Sequence, residues 1–155
     1  MNTKMRQLII ARKDLQMSPG KLAAQVSHGS IAFLTNAIRT NYSKWISSDE
    51  HRNVYYSSEL TFDADTFENW ICGMFIKTVC EAKNKNQLLK AIEFAEELGL
   101  VDGEDFFLIK DACLTELKPE EIDENGVGRV ITCIGFRPLP DEIAKQISKR
   151  FQLYR

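Results

Sequence analysis

The stretch of sequence that decides the fold spans residues 7–28 and reads QLIIARKDLQMSPGKLAAQVSH. Its first six residues form a short apolar run bounded by charges, which is typical of a buried β-strand. Ser18 and Pro19 then predict a helix start, because serine is a good N-cap and proline suits the first helical turn. The apolar residues that follow recur at helical spacing and predict a helix from about residue 19 to residue 39.

The rest of the chain continues this alternation of strands and helices. Further strands are predicted for residues 73–82, 106–109 and 129–136, and the last of these is apolar on both faces and therefore central. Helices are predicted for residues 86–98 and from Pro140 onward. This order predicts an α/β fold with a largely parallel sheet, right-handed crossovers and helices on both faces.

Residues 40–72 interrupt the alternation and are the least regular part of the chain. A short helical turn is predicted for residues 65–70, and the segment forms an aromatic-rich insert in a single domain that spans residues 1–155. A linker this aromatic is not a flexible spacer, so we expect its rings to be buried. It holds seven of the 15 aromatic residues, namely Tyr42, Trp45, Tyr55, Tyr56, Phe62, Phe67 and Trp70.

Length and composition exclude several classes of protein. The chain has 155 residues, of which 44% are hydrophobic and 27% are charged, and this is typical of a single globular domain. The composition excludes a disordered chain and a small protein held together by disulfides. No apolar run approaches the roughly 18–20 residues that span a membrane. The N-terminal residues lack the apolar stretch and cleavage site typical of a secretory signal, so we expect none. The four cysteines form no Cys-x-x-Cys pair. We therefore expect reduced cysteines in the core of a cytoplasmic protein.

The net charge of −2 conceals an uneven distribution. Residues 1–45 carry seven basic residues and one acidic residue, for +6, and the other 110 residues sum to −8. This pattern argues against a protein that binds nucleic acid over its whole surface, but it allows a basic face built from the N-terminal part. The alternative is that these charges only solvate the surface.

Polar side chains gather where two predicted strands end, and ligands of α/β sheets bind beyond such carboxyl ends. The first strand runs out through Arg12 and Lys13, and the next helix opens with an N-terminus that suits an anion. At 100° per residue, the side chains of Lys21, Gln25 and His28 lie within about 60° of one another on the first turns of that helix.

The strand predicted at residues 106–109 runs out through Asp111, with Thr115 close behind. Each of these residues also has a plain structural interpretation: a solvated helix face, a turn aspartate or a capping threonine. The two histidines form no metal-binding cluster, and the glycines of a phosphate-binding loop are missing. Spacing alone therefore predicts a candidate site without specifying a reaction.

The motifs themselves resemble those of a known family. Residues 9–28 resemble the opening of the type 2 peptidyl-tRNA hydrolases of archaea and eukaryotes, where a strand ending in Arg-x-Asp precedes Gly-Lys, Ala-Ala-Gln and His. The block DACLTE at residues 111–116 resembles that family's Asp-Ala-Gly-x-Thr-Gln, and Ile134 with Gly135 matches its Ile-Gly-Pro. The resemblance covers roughly residues 5–38 and 73–150. It implies a three-layer α/β/α fold with a small four-stranded mixed, largely parallel sheet.

The resemblance also implies a reaction, namely hydrolysis of the ester that joins a peptide to the 3′ end of tRNA, without a metal or other cofactor. Asp111, oriented by Thr115, would position or deprotonate the attacking water, and Lys21 would stabilise the oxyanion or a phosphate. The implied partner is the acceptor end of tRNA, and a homodimer is possible. The implied catalytic residues are Lys21, His28, Asp111 and Thr115, and the implied substrate-binding residues are Arg12, Lys13 and Gln25.

Several positions depart from the family pattern, and two alternative functions stay open. A carboxylate at Glu116 is expected to repel a polyanion near the site. One alternative is a non-catalytic member of the same fold that binds a nucleotide or a protein partner through its insert. The other is an esterase for a smaller acyl group, with the insert as a lid. The departures are Gly29 for alanine, Cys113 for glycine, Glu116 for glutamine, Val130 for threonine and Phe136 for proline.

Overall fold

The computed structural model describes residues 3–155. Its helices are α1 (Pro19–Thr40), α2 (Lys85–Glu97) and α3 (Asp141–Ser148), with a π-helical segment at Asp65–Met74. None of these helices is long and apolar enough to cross a membrane. The strands are β1 (Met5–Arg12), β2 (Tyr42–Ile46), β3 (Val54–Ser58), β4 (Lys77–Ala82), β5 (Phe106–Asp111), β6 (Glu121–Ile122), β7 (Gly128–Phe136), β8 (Leu139–Pro140) and β9 (Gln152–Leu153).

The main sheet is mixed and runs in the order β5-β7-β1-β4-β9, with β6 added to β7 and β8 added to β1. β1 pairs in parallel with β4, whereas β7 is antiparallel to both β1 and β5. Consequently β1, β4 and β5 run in the same direction, and their carboxyl ends lie at one edge. The sheet has seven strands instead of the four expected. The added strands β6, β8 and β9 have two residues each, too few to produce a periodic pattern.

Helices cover both faces of the sheet, as a three-layer α/β/α fold requires. Successive side chains of a strand point to opposite faces, and β1 is apolar on both. Leu8 and Ile10 pack with residues of α2 and α3, while Ile9 and Ala11 pack with residues of α1. Each such leucine or isoleucine, once fully buried, contributes about 1.5–3 kcal/mol of hydrophobic stabilisation. The double-sided burial of β1 therefore holds the three layers together.

The aromatic insert differs from expectation in its first half and at Phe67, whose side chain is 48% exposed. Strands β2 and β3 pair only with each other within residues 3–155, and their tyrosines and tryptophan are 42–63% exposed. The expectation that the insert buries its rings is therefore wrong for this hairpin, where Trp45 and Tyr55 stack on each other at 4.6 Å between centroids. It is right for Trp70, which is 2% exposed and packs edge-on against Phe33 of α1.

The second half of the insert is longer and more helical than predicted. The π-helical segment extends to Met74, so β4 begins at Lys77 and not at residue 73. Gly73 has φ −98° and ψ −133°, outside the helical range, and Phe75 follows in the left-handed region with φ 52°. This kink and turn end the helical segment and redirect the chain into the sheet.

Two glycines allow α1 to lie directly on β7. A Cβ atom added to Gly135 would lie 2.0 Å from the main-chain oxygen of Gly29, a distance that neither backbone can accommodate without moving. A Cβ atom added to Gly29 would meet only side-chain and Cα atoms at 3.3–3.5 Å, led by the Cγ2 methyl of Ile9. Close approach of helix to strand thus depends far more on Gly135 than on Gly29.

Gly135→Ala is therefore expected to destabilise the fold, because overpacking typically costs about 1–3 kcal/mol and more where backbone must move. Gly29→Ala is the matched control. It should change the free energy of unfolding by less than about 1 kcal/mol, because the better helix propensity of alanine offsets the tight contact. Urea denaturation of both variants measures the difference. Equal stability of the two variants would contradict this account of helix packing.

Candidate active site

The candidate site lies where the N-terminus of α1 meets the carboxyl end of β5. Ser18 is the N-cap of α1, and its hydroxyl oxygen accepts a hydrogen bond from the Lys21 N–H. Lys21 and Gln25 follow one turn apart, so both side chains lie on one helix face. Asp111 is the last residue of β5 and lies opposite them. The common direction of β1 and β5 thus brings helix start and strand end together.

Asp111 is the centre of a tight hydrogen-bonded cluster. Its Oδ1 accepts from Lys21 Nζ at 2.8 Å and from Gln25 Nε2 at 3.0 Å, and its Oδ2 accepts from the Cys113 N–H at 2.9 Å. Lys21 Nζ also donates to Thr115 Oγ1 at 3.1 Å. The Lys21 and Asp111 side chains are only 12% and 11% exposed. The structure therefore brings Lys21, Gln25, Asp111 and Thr115 together.

The surroundings of Asp111 favour its ionised form. Burial opposes ionisation, but the hydrogen bond and charge of Lys21, together with the Cys113 and Gln25 donors, outweigh it and lower the pKa of Asp111. A carboxylate with a lowered pKa stays charged at neutral pH and is a weak base. It is suited to hold a water molecule or a cation in a fixed orientation.

His28 lies on the same helix but outside this cluster. Its side chain is exposed, and it takes no part in the hydrogen bonds around Asp111. Helical spacing places it one turn beyond Gln25, on the side away from the N-terminus of α1. A catalytic role for His28 stays a prediction, which the geometry of the cluster does not support directly.

Arg12 is placed differently from the expectation that it contacts substrate. It is 3% exposed, and its guanidinium donates to the carboxylates of Asp14 and Glu120 and to the main-chain oxygen of Ile131. Hydrogen bonding to Asp14 raises the pKa of Arg12 further, and hydrogen bonding from Arg12 lowers the pKa of Glu120. With its donors engaged in this way, Arg12 links the end of β1 to the loop after β5 and to β7.

Lys13 lies at the surface on the β4–β9 side of the sheet. Its ammonium group is 3.8 Å from the Glu81 carboxylate and 4.4 Å from the centroid of the Tyr154 ring, and it donates to the main-chain oxygen of Arg155. The side chain is 44% exposed, so it is accessible to a phosphate. Lys13 does not join the Asp111 cluster, and its role in substrate binding stays a prediction.

Glu116 holds the loop after β5 against the start of α1. Its carboxylate accepts from the Ser18 N–H at 2.9 Å and from the Ser18 hydroxyl at 2.5 Å. These bonds lower the pKa of Glu116, the hydroxyl contributing most. Glu116 thus sits at the helix N-terminus, where the sequence suggested space for an anion. It also anchors the segment that carries Thr115.

Sequence reasoning missed one buried member of the network. Thr132 on β7 is fully buried, and its hydroxyl donates to Gln25 Oε1 at 2.6 Å. A threonine inside an apolar strand carries no signal of such a role, because β-branched residues are common in strands. Cys113, which replaces the glycine of the family pattern, has φ 56°, a left-handed conformation that favours glycine.

The Asp111 cluster is separate from the cavity between β4, β9 and α3. A cavity of about 490 Å³ lies between β4, β9 and α3, lined by residues such as Arg6, Lys145 and Lys149, and it includes no member of the cluster. Within residues 3–155, the histidine, cysteine, aspartate and glutamate side chains form no group of three or more that could hold a metal ion.

The fold and the cluster together define an α/β protein with an ionised aspartate and a lysine at the edge of its sheet. Residues 5–154 match the family model of the peptidyl-tRNA hydrolases known as PTH2. The chain therefore belongs to this family, as its motifs indicated, and membership assigns to it the hydrolysis of peptidyl-tRNA, which is its substrate. A non-catalytic binding function is not favoured.

Curated relatives agree with this assignment over nearly their whole length. The peptidyl-tRNA hydrolase of Thermococcus onnurineus is 28% identical over 148 residues, which is 96% of both chains. That of Thermococcus sibiricus is 29% identical over 150 residues, or 97% of this chain and 98% of the relative. The peptidyl-tRNA hydrolase of Methanopyrus kandleri is 29% identical with the same coverage.

Proposed function

We propose that the chain cleaves the ester bond of peptidyl-tRNA without a metal ion, using the Asp111 cluster as its catalytic centre. The observation that carries this proposal is the 2.8 Å contact between Lys21 Nζ and Asp111 Oδ1 at the carboxyl end of β5. It places a carboxylate and an ammonium side by side. Ester hydrolysis needs a positioned water molecule and stabilisation of the developing oxyanion, and this pair can supply both.

In this mechanism Asp111 holds the attacking water through a free lone pair of its carboxylate. The water oxygen attacks the ester carbonyl carbon, and the bond to the 3′ oxygen of the terminal ribose breaks. One proton of the water ends on that 3′ oxygen and the other is released to solvent, so the products are a free peptide carboxylate and tRNA with its 3′ hydroxyl. Because Asp111 has a lowered pKa, its main contribution is orientation of the water.

Lys21 supplies the positive charge for the oxyanion. An ammonium group has three N–H donors, and two of them are directed at Asp111 and Thr115. The third is available for the carbonyl oxygen of the substrate. Thr115 accepts from Lys21, which leaves its own hydroxyl proton free to donate to water or to the substrate. We assign Gln25 to holding Asp111, and we keep His28 as an accessory group at the surface.

The insert does not serve as a lid in this proposal. α1 has 22 residues and is about 33 Å long at 1.5 Å per residue, with Lys21 near one end and the β2–β3 hairpin following the other. The hairpin therefore lies too far from Lys21 to close over a small acyl group, and the esterase alternative with this segment as a lid is not supported. An open site suits a substrate as large as tRNA.

The protein is proposed to act in the cytoplasm, where its four free cysteines would stay reduced. The negative phosphates of the tRNA acceptor end would meet the exposed Lys13. Arg12 is left out of this contact because of its burial. A homodimer stays a prediction, which sedimentation equilibrium of the pure protein would test.

The proposed function is tested by the release of the blocked amino acid from N-acetylated aminoacyl-tRNA by pure protein. Turnover is expected, and the rate should be the same with chelator present throughout, in a monovalent salt that keeps the tRNA folded without Mg²⁺. A sample of substrate without protein corrects for spontaneous hydrolysis. Absence of turnover without chelator would contradict the hydrolase proposal, and a loss in chelator that an added metal ion restores would contradict its metal-free form.

A further inference from the structure

The amide of Gln25 lies between the Asp111 carboxylate and a hydroxyl on β7. Gln25 is 1% exposed. Its Nε2 donates to Asp111 Oδ1 at 3.0 Å, while its Oε1 accepts from Thr132 Oγ1 at 2.6 Å. Thr132 is itself fully buried. A continuous chain of hydrogen bonds therefore runs from the inside of the sheet to the carboxylate at the site.

The two ends of this chain favour the same orientation of the amide. The Thr132 hydroxyl has one proton, and Gln25 Oε1 at 2.6 Å is closer than its other acceptor, the Ile109 main-chain oxygen at 3.3 Å. An amide turned by 180° would direct its oxygen at the Asp111 carboxylate, where two acceptors repel. Without the hydroxyl, the buried amide oxygen loses its partner. The amide then shifts, and its N–H moves away from Asp111.

A β-bulge brings Thr132 into this position. The register of β5 and β7 shifts after the pair Ile109–Cys133, and Thr132 is the extra residue on β7. In a regular strand, neighbouring side chains point to opposite faces. Here the Thr132 hydroxyl and the Cys133 thiol both reach Gln25, the thiol lying 3.3 Å from its main-chain oxygen. Bulges beside active sites redirect side chains in this way.

We propose that Thr132 is a positioning residue of the hydrolytic site, acting through Gln25 to hold the Asp111 carboxylate in its working orientation. This inference rests on the proposed function and extends it to a residue that never touches substrate. With Gln25 fixed, Asp111 Oδ1 keeps a donor besides Lys21, in addition to the Cys113 N–H that holds Oδ2. The carboxylate then stays in place while Lys21 directs its third N–H at the substrate.

The kinetic test compares Thr132→Val, which keeps the shape and removes the hydroxyl, with Thr132→Ser, which keeps the hydroxyl. Because a misplacement of about 1 Å can cost about 10²-fold in rate, Thr132→Val should lower kcat by about 10- to 100-fold while KM stays within about twofold. Thr132→Ser should retain most of the activity. Thr66→Val is the matched control, a buried threonine whose hydroxyl donates to Asp63, and it should leave kcat unchanged.

A second measurement does not depend on turnover. The pKa of the Asp111 carboxyl, followed by carbon NMR, should rise in Thr132→Val and return to the wild-type value in Thr132→Ser. Thr132→Ala takes the place of the valine variant if that variant does not fold. An unchanged kcat or an unchanged pKa of Asp111 in the folded variant would overturn the proposal. If wild-type protein does not cleave its substrate, the proposed function fails, and the NMR measurement still decides whether Thr132 controls Asp111.

Discussion

Asp111→Asn is expected to lower kcat by about 10²-fold or more, because misplacing the attacking water by about 1 Å can cost about 10²-fold in rate. Asparagine has nearly the same shape and still accepts from Lys21, so the fold should persist. It lacks the negative charge and one acceptor oxygen, and both are needed to orient the attacking water. The measurement is single-turnover release of the blocked amino acid from tRNA, with circular dichroism to show that the variant is folded.

A matched control exists on the strand that follows. Glu121 on β6 accepts from Lys110 at 2.5 Å, so Glu121→Gln also removes a carboxylate charge next to a lysine, but at an exposed pair outside the cluster. Its kcat should stay within about twofold of wild type, because this pair makes no hydrogen bond to the groups assigned to the reaction. Equal losses in both variants would mean that the effect comes from net charge near the tRNA. In that case Asp111 would lose its assigned role.

The pH dependence of kcat separates Asp111 from a histidine base. The pKa of Asp111 is lowered, so its charged form persists as pH falls through the range in which free aspartate begins to take up protons. If activity depends on this charge, kcat should therefore stay constant between pH 5 and pH 8. A change of kcat with pH in that range would indicate a histidine, the side chain that normally titrates there, and would favour a direct role for His28.

Much of the site could be predicted from the sequence because its members lie on regular elements. Lys21 and Gln25 share a helix face by spacing alone, and Asp111 follows a strand that ends at the same edge. Arg12 shows the limit of this reasoning. Its partner Glu120 lies 108 residues further along the chain, so burial of the guanidinium depends on tertiary pairing that no local pattern reveals.

The parts of the fold that the sequence did not predict are those in which apolar residues do not recur at a regular spacing. Thr132 reaches Gln25 only because a bulge shifts the register of β7 by one residue, and such a shift depends on the partner strand. The β2–β3 hairpin keeps four aromatic side chains exposed, although composition alone predicts burial. Composition measures how much apolar surface a segment has, and it does not tell which neighbour covers that surface.

Lys21→Ala is expected to lower kcat by about 10²–10³-fold, as removal of one oxyanion donor does in other hydrolases. Negative charge develops on the carbonyl oxygen of the ester only in the transition state. Removing the ammonium group that stabilises this charge therefore lowers kcat more than it changes KM. The pKa of Asp111 should rise at the same time, because Lys21 is the first of the groups that lower it. Lys110→Ala, which removes an exposed lysine from its pair with Glu121, is the control and should change kcat little.

The double variant Lys21→Ala with Asp111→Asn decides whether the pair acts as a unit. Groups that work together in one transition state show losses that are far from additive. We therefore expect the kcat of the double variant to be about equal to that of the slower single variant. Fully multiplied losses would mean that the two side chains act independently. If Lys21→Ala raised only KM and left kcat intact, Lys21 would be a phosphate-binding residue, and the oxyanion would need another donor, for which the Thr115 hydroxyl is the nearest candidate.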